Sequence, residues 1–260
     1  MPKTNRRTNS TAEAPLLEHL EELRSRILWA LSFWLAGTAV AWNFKDDLIR
    51  FMQMPLDSVR DRVEIVTTGL TDQLFIAFSV AMWGGFVLAL PFMLYQLWKF
   101  IEPGLTASEQ RWAVPFILGA GLSFGLGCLF CFEVVLPAAI PFLVTFFSAS
   151  TGIKSFLGLA GYISNVLTYL VVFGIMFELP IISFLLTKIG LINATLLRSI
   201  RRYAIVFLVV AAAIITPTAD PFNLMLMAGP MYLLYELSIL VSSASSPRKA
   251  RVQELGEIEI

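Results

Sequence analysis

Apolar residues along this chain gather into long runs separated by short polar breaks. Six runs stand out, at about 27–44, 73–97, 112–134, 162–186, 200–215 and 222–241. A run of about 20 apolar residues is long enough to cross the roughly 30 Å hydrocarbon core of a bilayer as a helix. The pattern therefore predicts an all-α, polytopic membrane protein with six transmembrane helices, and the bundle is expected to be concave, or cupped. The fifth run is short. From Tyr203 to Ile215 is thirteen residues, or roughly 20 Å of helix. Such a helix starts earlier, near Ile200, or the bilayer thins around it, or its neighbours shelter it. The break between the last two runs, TPTADP at 216–221, holds two prolines and an aspartate, which predicts a tight hairpin. No internal repeat divides the six runs, and the broken-helix pattern of many secondary carriers is missing.

Ahead of the first run, PLLEHLEELRSR places Leu16, Leu20, Leu23 and Ile27 at spacings of four and three, the period of an amphipathic helix. Residues 1–15 are polar and have no apolar signal core behind them, so they predict a disordered tail rather than a cleaved leader. Residues 16–241 form the membrane domain and 242–260 a C-terminal tail. The outer piece KDDLIRFMQMPL reads as a short surface helix, and LPAAIPFLVTFF is apolar enough to pack as a cap.

Lys and Arg set the orientation, because basic residues stay on the cytoplasmic side. With the N-terminus inside, the inner segments carry fourteen basic residues and the outer segments five. Both termini are therefore expected in the cytoplasm. With 57% hydrophobic and 15% charged residues and a mean hydropathy of +0.74, the composition lies well to the apolar side of soluble domains. Zero net charge gives no footprint for nucleic acid. No phosphate-binding glycine loop or zinc-protease motif is present, and His19 is the only histidine, which excludes a His-based metal cluster. Cys128 and Cys131 form a CxxC inside an apolar run, where two small apolar residues one turn apart are the simpler reading than a redox pair. No cofactor, metal or catalytic activity is expected.

Three sets of charges need explaining. Glu178 sits in VVFGIMFELPIISFLL as its one charged residue. A carboxylate near the centre of a membrane helix costs about 2.5–3.5 kcal/mol or more. Pro180 lacks an N–H and crowds the carbonyl of Met176, so a kink is expected beside it. Glu178 then serves as a polar docking point for another helix, as a proton-sensitive group, or as an internal tie between spans. Glu18, Glu21 and Glu22 crowd the entry to the first span, followed by Arg24 and Arg26. Glu22 and Arg26 have the spacing of an ordinary helical ion pair. Carboxylates beside anionic lipid also suit a basic ligand. Glu102 and Glu109 follow in FIEPGLTASEQRW, where Pro103 and Gly104 predict a fixed turn. Glu109 suits the N-terminus of the third span, or completes a two-point acidic site with Glu22.

HLEELRSR, FIEPGLTASEQR, FELP, ITPTADPF and PMYLLYEL, in this order on six spans, resemble the TatC family, the multi-span receptor of the twin-arginine protein translocase. The resemblance runs from about Leu16 to Leu240. It implies binding of Arg-Arg signal peptides of folded cargo, transport driven by the proton-motive force, single-span partners of the TatA and TatB type, and self-association. It also implies residence in the bacterial cytoplasmic membrane, no organellar transit peptide preceding the first span. Carried over residue by residue, Glu22 and Glu109 correspond to the acidic positions that recognise the arginine pair. Arg24 corresponds to the N-terminal basic position, and Phe100 and Pro103 to the F-x-x-P turn. Pro55 corresponds to the proline of the first outer loop, Glu178 to the intramembrane glutamate, and Asp220 to the aspartate of the last outer turn. The sequence departs from the family in reading TPTADP where TPPDP is usual, and SEQR where a basic HERR-like run is common. Guanidinium is a planar fork that matches a carboxylate at two points, whereas lysine is a point charge; two separated carboxylates therefore suit two arginines. The rival from the residues themselves is a proton-coupled small-solute carrier using Glu178.

Overall fold

The computed structural model describes residues 10–106, 110–151, 155–216 and 220–245. Its frame is helical. Helix α1, Ser10–Trp42, runs antiparallel beside α3, Asp72–Ile101, in the most extensive helix pairing of the molecule. Two glycines make the approach possible. A Cβ on Gly37 would stand 2.5 Å from the carbonyl oxygen of Gly85, and one on Gly85 would stand 2.5 Å from Thr38 Cα. Backbone meets backbone at this crossing, as small residues permit in membrane helices. Between the two lie α2, Lys45–Gln53, and a 3-10 turn, Met54–Val59, as KDDLIRFMQMPL predicts.

The third run becomes α4, Ala113–Phe130, then a π-helical turn, Cys131–Val135, then α5, Leu136–Thr151. The run was expected to end near 134, and the structure continues it. Pro137 lacks an N–H and its ring crowds the carbonyl of Glu133, so the chain widens there instead of stopping. The predicted cap is thus a helix. Leu136, Ile140 and Val144 share one core with Leu56 and Val59 of the 3-10 turn.

Two strands depart from the all-α expectation. β1, Val63–Val66, pairs in parallel with β2, Ser155–Gly158, with Val63 opposite Ser155 and Val66 opposite Gly158. They tie the connection after the 3-10 turn to the one after α5. The Tyr162 hydroxyl adds a second tie by donating to the carbonyl of Met52 at 2.7 Å.

The fourth run is α6, Leu159–Phe177, and α7, Leu179–Lys188, broken at Glu178. The remaining described helices are α8, Ala194–Ser199, α9, Arg201–Ile215, and α10, Pro221–Ser245. A buried hydroxyl pair, Thr187 with Ser242 at 2.8 Å, joins α7 to α10. Helix α4 crosses α6 at a second glycine contact, where a Cβ on Gly127 would lie 2.5 Å from the Phe173 carbonyl oxygen.

Among the described residues, four helical stretches are long and apolar enough to cross a membrane, at Asp72–Gly104, Ala113–Thr145, Leu159–Lys188 and Pro221–Ser245. His19–Trp42 with Lys45–Val59, bent by 80°, makes a fifth if the pair counts as one span. Helix α9 has fifteen residues, roughly 22 Å of rise, and is short of the bilayer core. Helix α1 begins at Ser10, ahead of the start that PLLEHLEELRSR suggests. Ala12, Glu13 and Ala14 are strong helix formers and extend it backwards.

Candidate functional site

Glu22 and Arg24 on α1 and Phe100 and Pro103 at the end of α3 lie at one end of the bundle, where α3 stops beside the N-terminal half of α1. The ring of His19 stacks on Phe100, centroids 4.5 Å apart and planes 17° from parallel. This contact pins the acidic stretch of α1 to the last turn of α3. Beyond Phe100 the chain makes the predicted turn as a 3-10 segment, Glu102–Gly104, with Pro103 exposed. Lys99 Nζ holds Glu102 Oε2 at 2.7 Å. Gln110 Nε2 donates to the carbonyls of Glu102 and Leu105 at 3.3 and 3.4 Å, closing the loop. Arg24 is exposed on α1. Glu109 lies outside the described residues.

Glu22 carries the ion pair its spacing allows: Arg26 Nη2 lies 3.1 Å from Glu22 Oε1. Sequence reasoning missed the next link. Arg26 Nη1 donates to Gln96 Oε1 on α3 at 3.3 Å, and Gln96 is buried. An apolar cleft of about 300 Å³ runs between the helices here, with Leu23, Arg26, Gln96 and Phe100 among its walls. A buried amide in an apolar seam needs a polar partner, and YQLW in the second run was the one signal for it.

Glu178 stands apart from this cluster, in the break between α6 and α7. Its N–H bonds the Ile175 carbonyl at 3.1 Å, and its own carbonyl accepts from Ile182 at 2.8 Å. Pro180 is buried two residues past Glu178, in the first turn of α7, where its missing N–H is tolerated. Ser123 on α4 donates its hydroxyl to the carbonyl of Phe177 at 2.6 Å. The interrupted backbone is thus partly satisfied by a neighbouring helix. Glu178 Oε1 is buried and has no hydrogen-bond partner among the described residues. The Glu178 carboxylate also has a backbone hydrogen bond to Phe124 on α4, so one oxygen ties α4 to the break while Oε1 stays open to a further partner.

Pro55 and Asp220 have structural work. Pro55 is buried at the start of the 3-10 turn under α5. Asp220 caps α10: Oδ1 accepts from the Asn223 N–H at 2.8 Å and Oδ2 from Asn223 Nδ2 at 2.9 Å. Pro221 follows at the first helical position, where its missing N–H costs nothing. Asp220→Ala should therefore lower stability by about 1 kcal/mol, and Asp220→Asn by only a few tenths; thermal unfolding of the purified chain reads both. The hairpin predicted at TPTADP lies mostly at 217–219, outside the described residues. A second charge in an apolar run also went unremarked. Glu236 on α10 is held by Arg201 at 2.9 Å and by the Tyr232 hydroxyl at 2.6 Å. The logic that marked Glu178 would have found it.

The family model described as Sec-independent protein translocase protein (TatC) matches residues 18–230. The chain is 43% identical over 235 residues to the Sec-independent protein translocase protein TatC of Deinococcus radiodurans, covering 89% of this chain and 86% of that protein. It is 39% identical over 240 residues to the TatC of Aquifex aeolicus, covering 92% of this chain and 99% of that one. A crystal structure of a twin arginine translocase receptor, TatC, superposes with a TM-score of 0.78 at 39% identity, over 86% of this chain and 97% of that one. A second such structure, in the detergent DDM, gives 0.80. A small-solute carrier finds no support among these relatives. With the family model spanning most of its length and relatives this similar along nearly all of theirs, the chain belongs to the TatC family of Sec-independent protein translocase proteins.

Proposed function

We propose that this chain is the receptor of a twin-arginine translocase, binding Arg-Arg signal peptides of folded cargo at its cytoplasmic face. The observation that carries the reading is the His19–Phe100 stack. It brings Glu22 and Arg24 to the same end of the bundle as the Phe100–Pro103 turn, the segment that leads to Glu109. Glu22 and Glu109 each take one guanidinium. Arg24, Phe100 and Pro103 shape the surrounding surface. The chain acts by binding, not catalysis, and transport draws on the proton-motive force.

The membrane domain spans 16–241 and crosses the bacterial cytoplasmic membrane six times, with the tail at 242–260 and the N-terminus both cytoplasmic. The fourteen inner against five outer basic residues support this orientation. Helix α9 completes the six where the bilayer thins or neighbours shelter it. Glu178 faces a concave, lipid-accessible groove and docks single-span subunits of the TatA and TatB type. Pro55 and Asp220 hold the outer face in shape. The chain self-associates, and the passage for folded cargo forms only in a larger, transient assembly, because six spans without a repeat do not enclose a protein-wide pore.

Replacing Glu22 or Glu109 by glutamine tests the site. Each loses one charge-assisted pair, a loss of roughly 1.5–3 kcal/mol, so affinity for an Arg-Arg peptide should fall about tenfold or more. Fluorescence binding titrations on the chain in lipid nanodiscs give the answer. Unchanged affinity in both variants would remove the acidic pair from the site.

A further inference from the structure

The carboxylate assigned to an incoming arginine already holds one. Arg26 Nη2 sits 3.1 Å from Glu22 Oε1, and the other prong of the same guanidinium, Nη1, donates to Gln96 Oε1 at 3.3 Å. Both Glu22 and Arg26 are partly exposed, their side chains at 31% each, whereas Gln96 is 8% exposed. An exposed pair four residues apart on one helix is loosely held, since both side chains lose rotamer freedom to form it. This pair differs because a buried amide on the neighbouring helix fixes half of the fork. Lysine at the same position, with a single point charge, does not span a carboxylate on one helix and an amide on the next in the same planar geometry.

We propose that Arg26 is a built-in competitor at Glu22: an internal arginine that occupies the carboxylate until a signal-peptide arginine displaces it, with Gln96 retaining the displaced guanidinium in the α1–α3 seam. This inference rests on the reading of Glu22 as an arginine acceptor. Three consequences follow from the geometry. Glu22 never stands as a bare carboxylate beside anionic lipid when the site is empty. A ligand has to free Glu22 from Arg26 before using it, at the same cost whichever basic group it brings. The second guanidinium, at Glu109, offsets that cost. Arg26 in this way raises the threshold for binding.

The test is equilibrium binding of fluorescent Arg-Arg and Lys-Lys signal peptides to the full chain in nanodiscs, for the unaltered chain, Arg26→Gln and Arg26→Lys. Removing the competitor should tighten Arg-Arg binding about two- to fivefold, the range of partly exposed ion pairs, and tighten Lys-Lys binding by no more than the same factor, because the cost of freeing Glu22 is common to every ligand that uses it. Arg26→Lys keeps the charge but loses the fork, so it should move both quantities in the same direction by less. If Arg26→Gln tightens binding while Arg26→Lys behaves as the unaltered chain, the effect is bulk charge and the competitor is overturned. Unchanged or weaker Arg-Arg binding in both variants overturns it as well. Should the unaltered chain itself show no preference for Arg-Arg, the reading of Glu22 falls and this inference with it. A preference for Arg-Arg in the unaltered chain, with an Arg-Arg affinity that both Arg26 variants leave unmoved, removes the inference alone.

Discussion

Gly85→Ala should lower the stability of the folded chain by about 3 kcal/mol, the upper end of what overpacking usually costs, and Gly85→Leu should leave little folded protein to purify. The position has no room on the side of α1. An added Cβ would meet the backbone and hydroxyl of Thr38, and the reciprocal position, Gly37, faces the Gly85 carbonyl. Backbone atoms do not turn aside as the end of a flexible side chain does, so α1 has to shift bodily. That shift would also pull Arg26 from Gln96 and His19 from Phe100, because both contacts bridge α1 and α3. The control is Gly121→Ala, where a Cβ meets nothing within 4 Å. It should change stability by no more than about 0.5 kcal/mol. Thermal unfolding in detergent, followed by size-exclusion profile, compares the three. A Gly85→Ala chain as stable as Gly121→Ala would mean that the α1–α3 crossing is not set by this contact.

The second large effect is expected at Glu178. Glu178→Ala should leave Arg-Arg peptide binding within about twofold of the unaltered chain, while export of folded cargo falls at least tenfold. The site lies in the α6–α7 break, remote in the chain from the His19–Phe100 cluster, and its buried Oε1 lacks a partner among the described residues. Removing a carboxylate bonded internally at both oxygens would strand its donors and weaken the fold. Removing one with an oxygen left for a partner helix costs assembly instead. Co-purification of the single-span subunits distinguishes these outcomes. Normal export by the alanine variant would sink the docking role.

Much of this was legible in the chain, for physical reasons that differ from place to place. The runs around 73–97 and 162–186 announce themselves because lipid demands length and apolarity together. The break at Glu178 was readable because proline acts locally, on a carbonyl four residues back. The Glu22–Arg26 pair was readable for the same reason, being one turn of helix. What escaped was contact between residues far apart in sequence. VEIV and SFLG are four residues each, too short for alternation to signal strands, and they pair only because the connections after the 3-10 turn and after α5 meet. Gln96 is an isolated polar residue along its run, and its partner, Arg26, becomes visible only with α1 beside it. Gly37 and Gly85 carry no hydropathy signal of a crossing, since glycine is common in membrane helices for several reasons. The π-helical turn at Cys131–Val135 was missed because proline usually argues for a stop, and here the chain widened and went on.

The account stands or falls on an acidic site that demands two arginines. The most direct measurement places photo-reactive probes beside Glu22 and beside Glu109 in membranes, then offers an Arg-Arg signal peptide and the same peptide with Lys-Lys. The account predicts strong adducts from both positions with Arg-Arg and few with Lys-Lys. Equal adducts with the two peptides, or none with either, would contradict it.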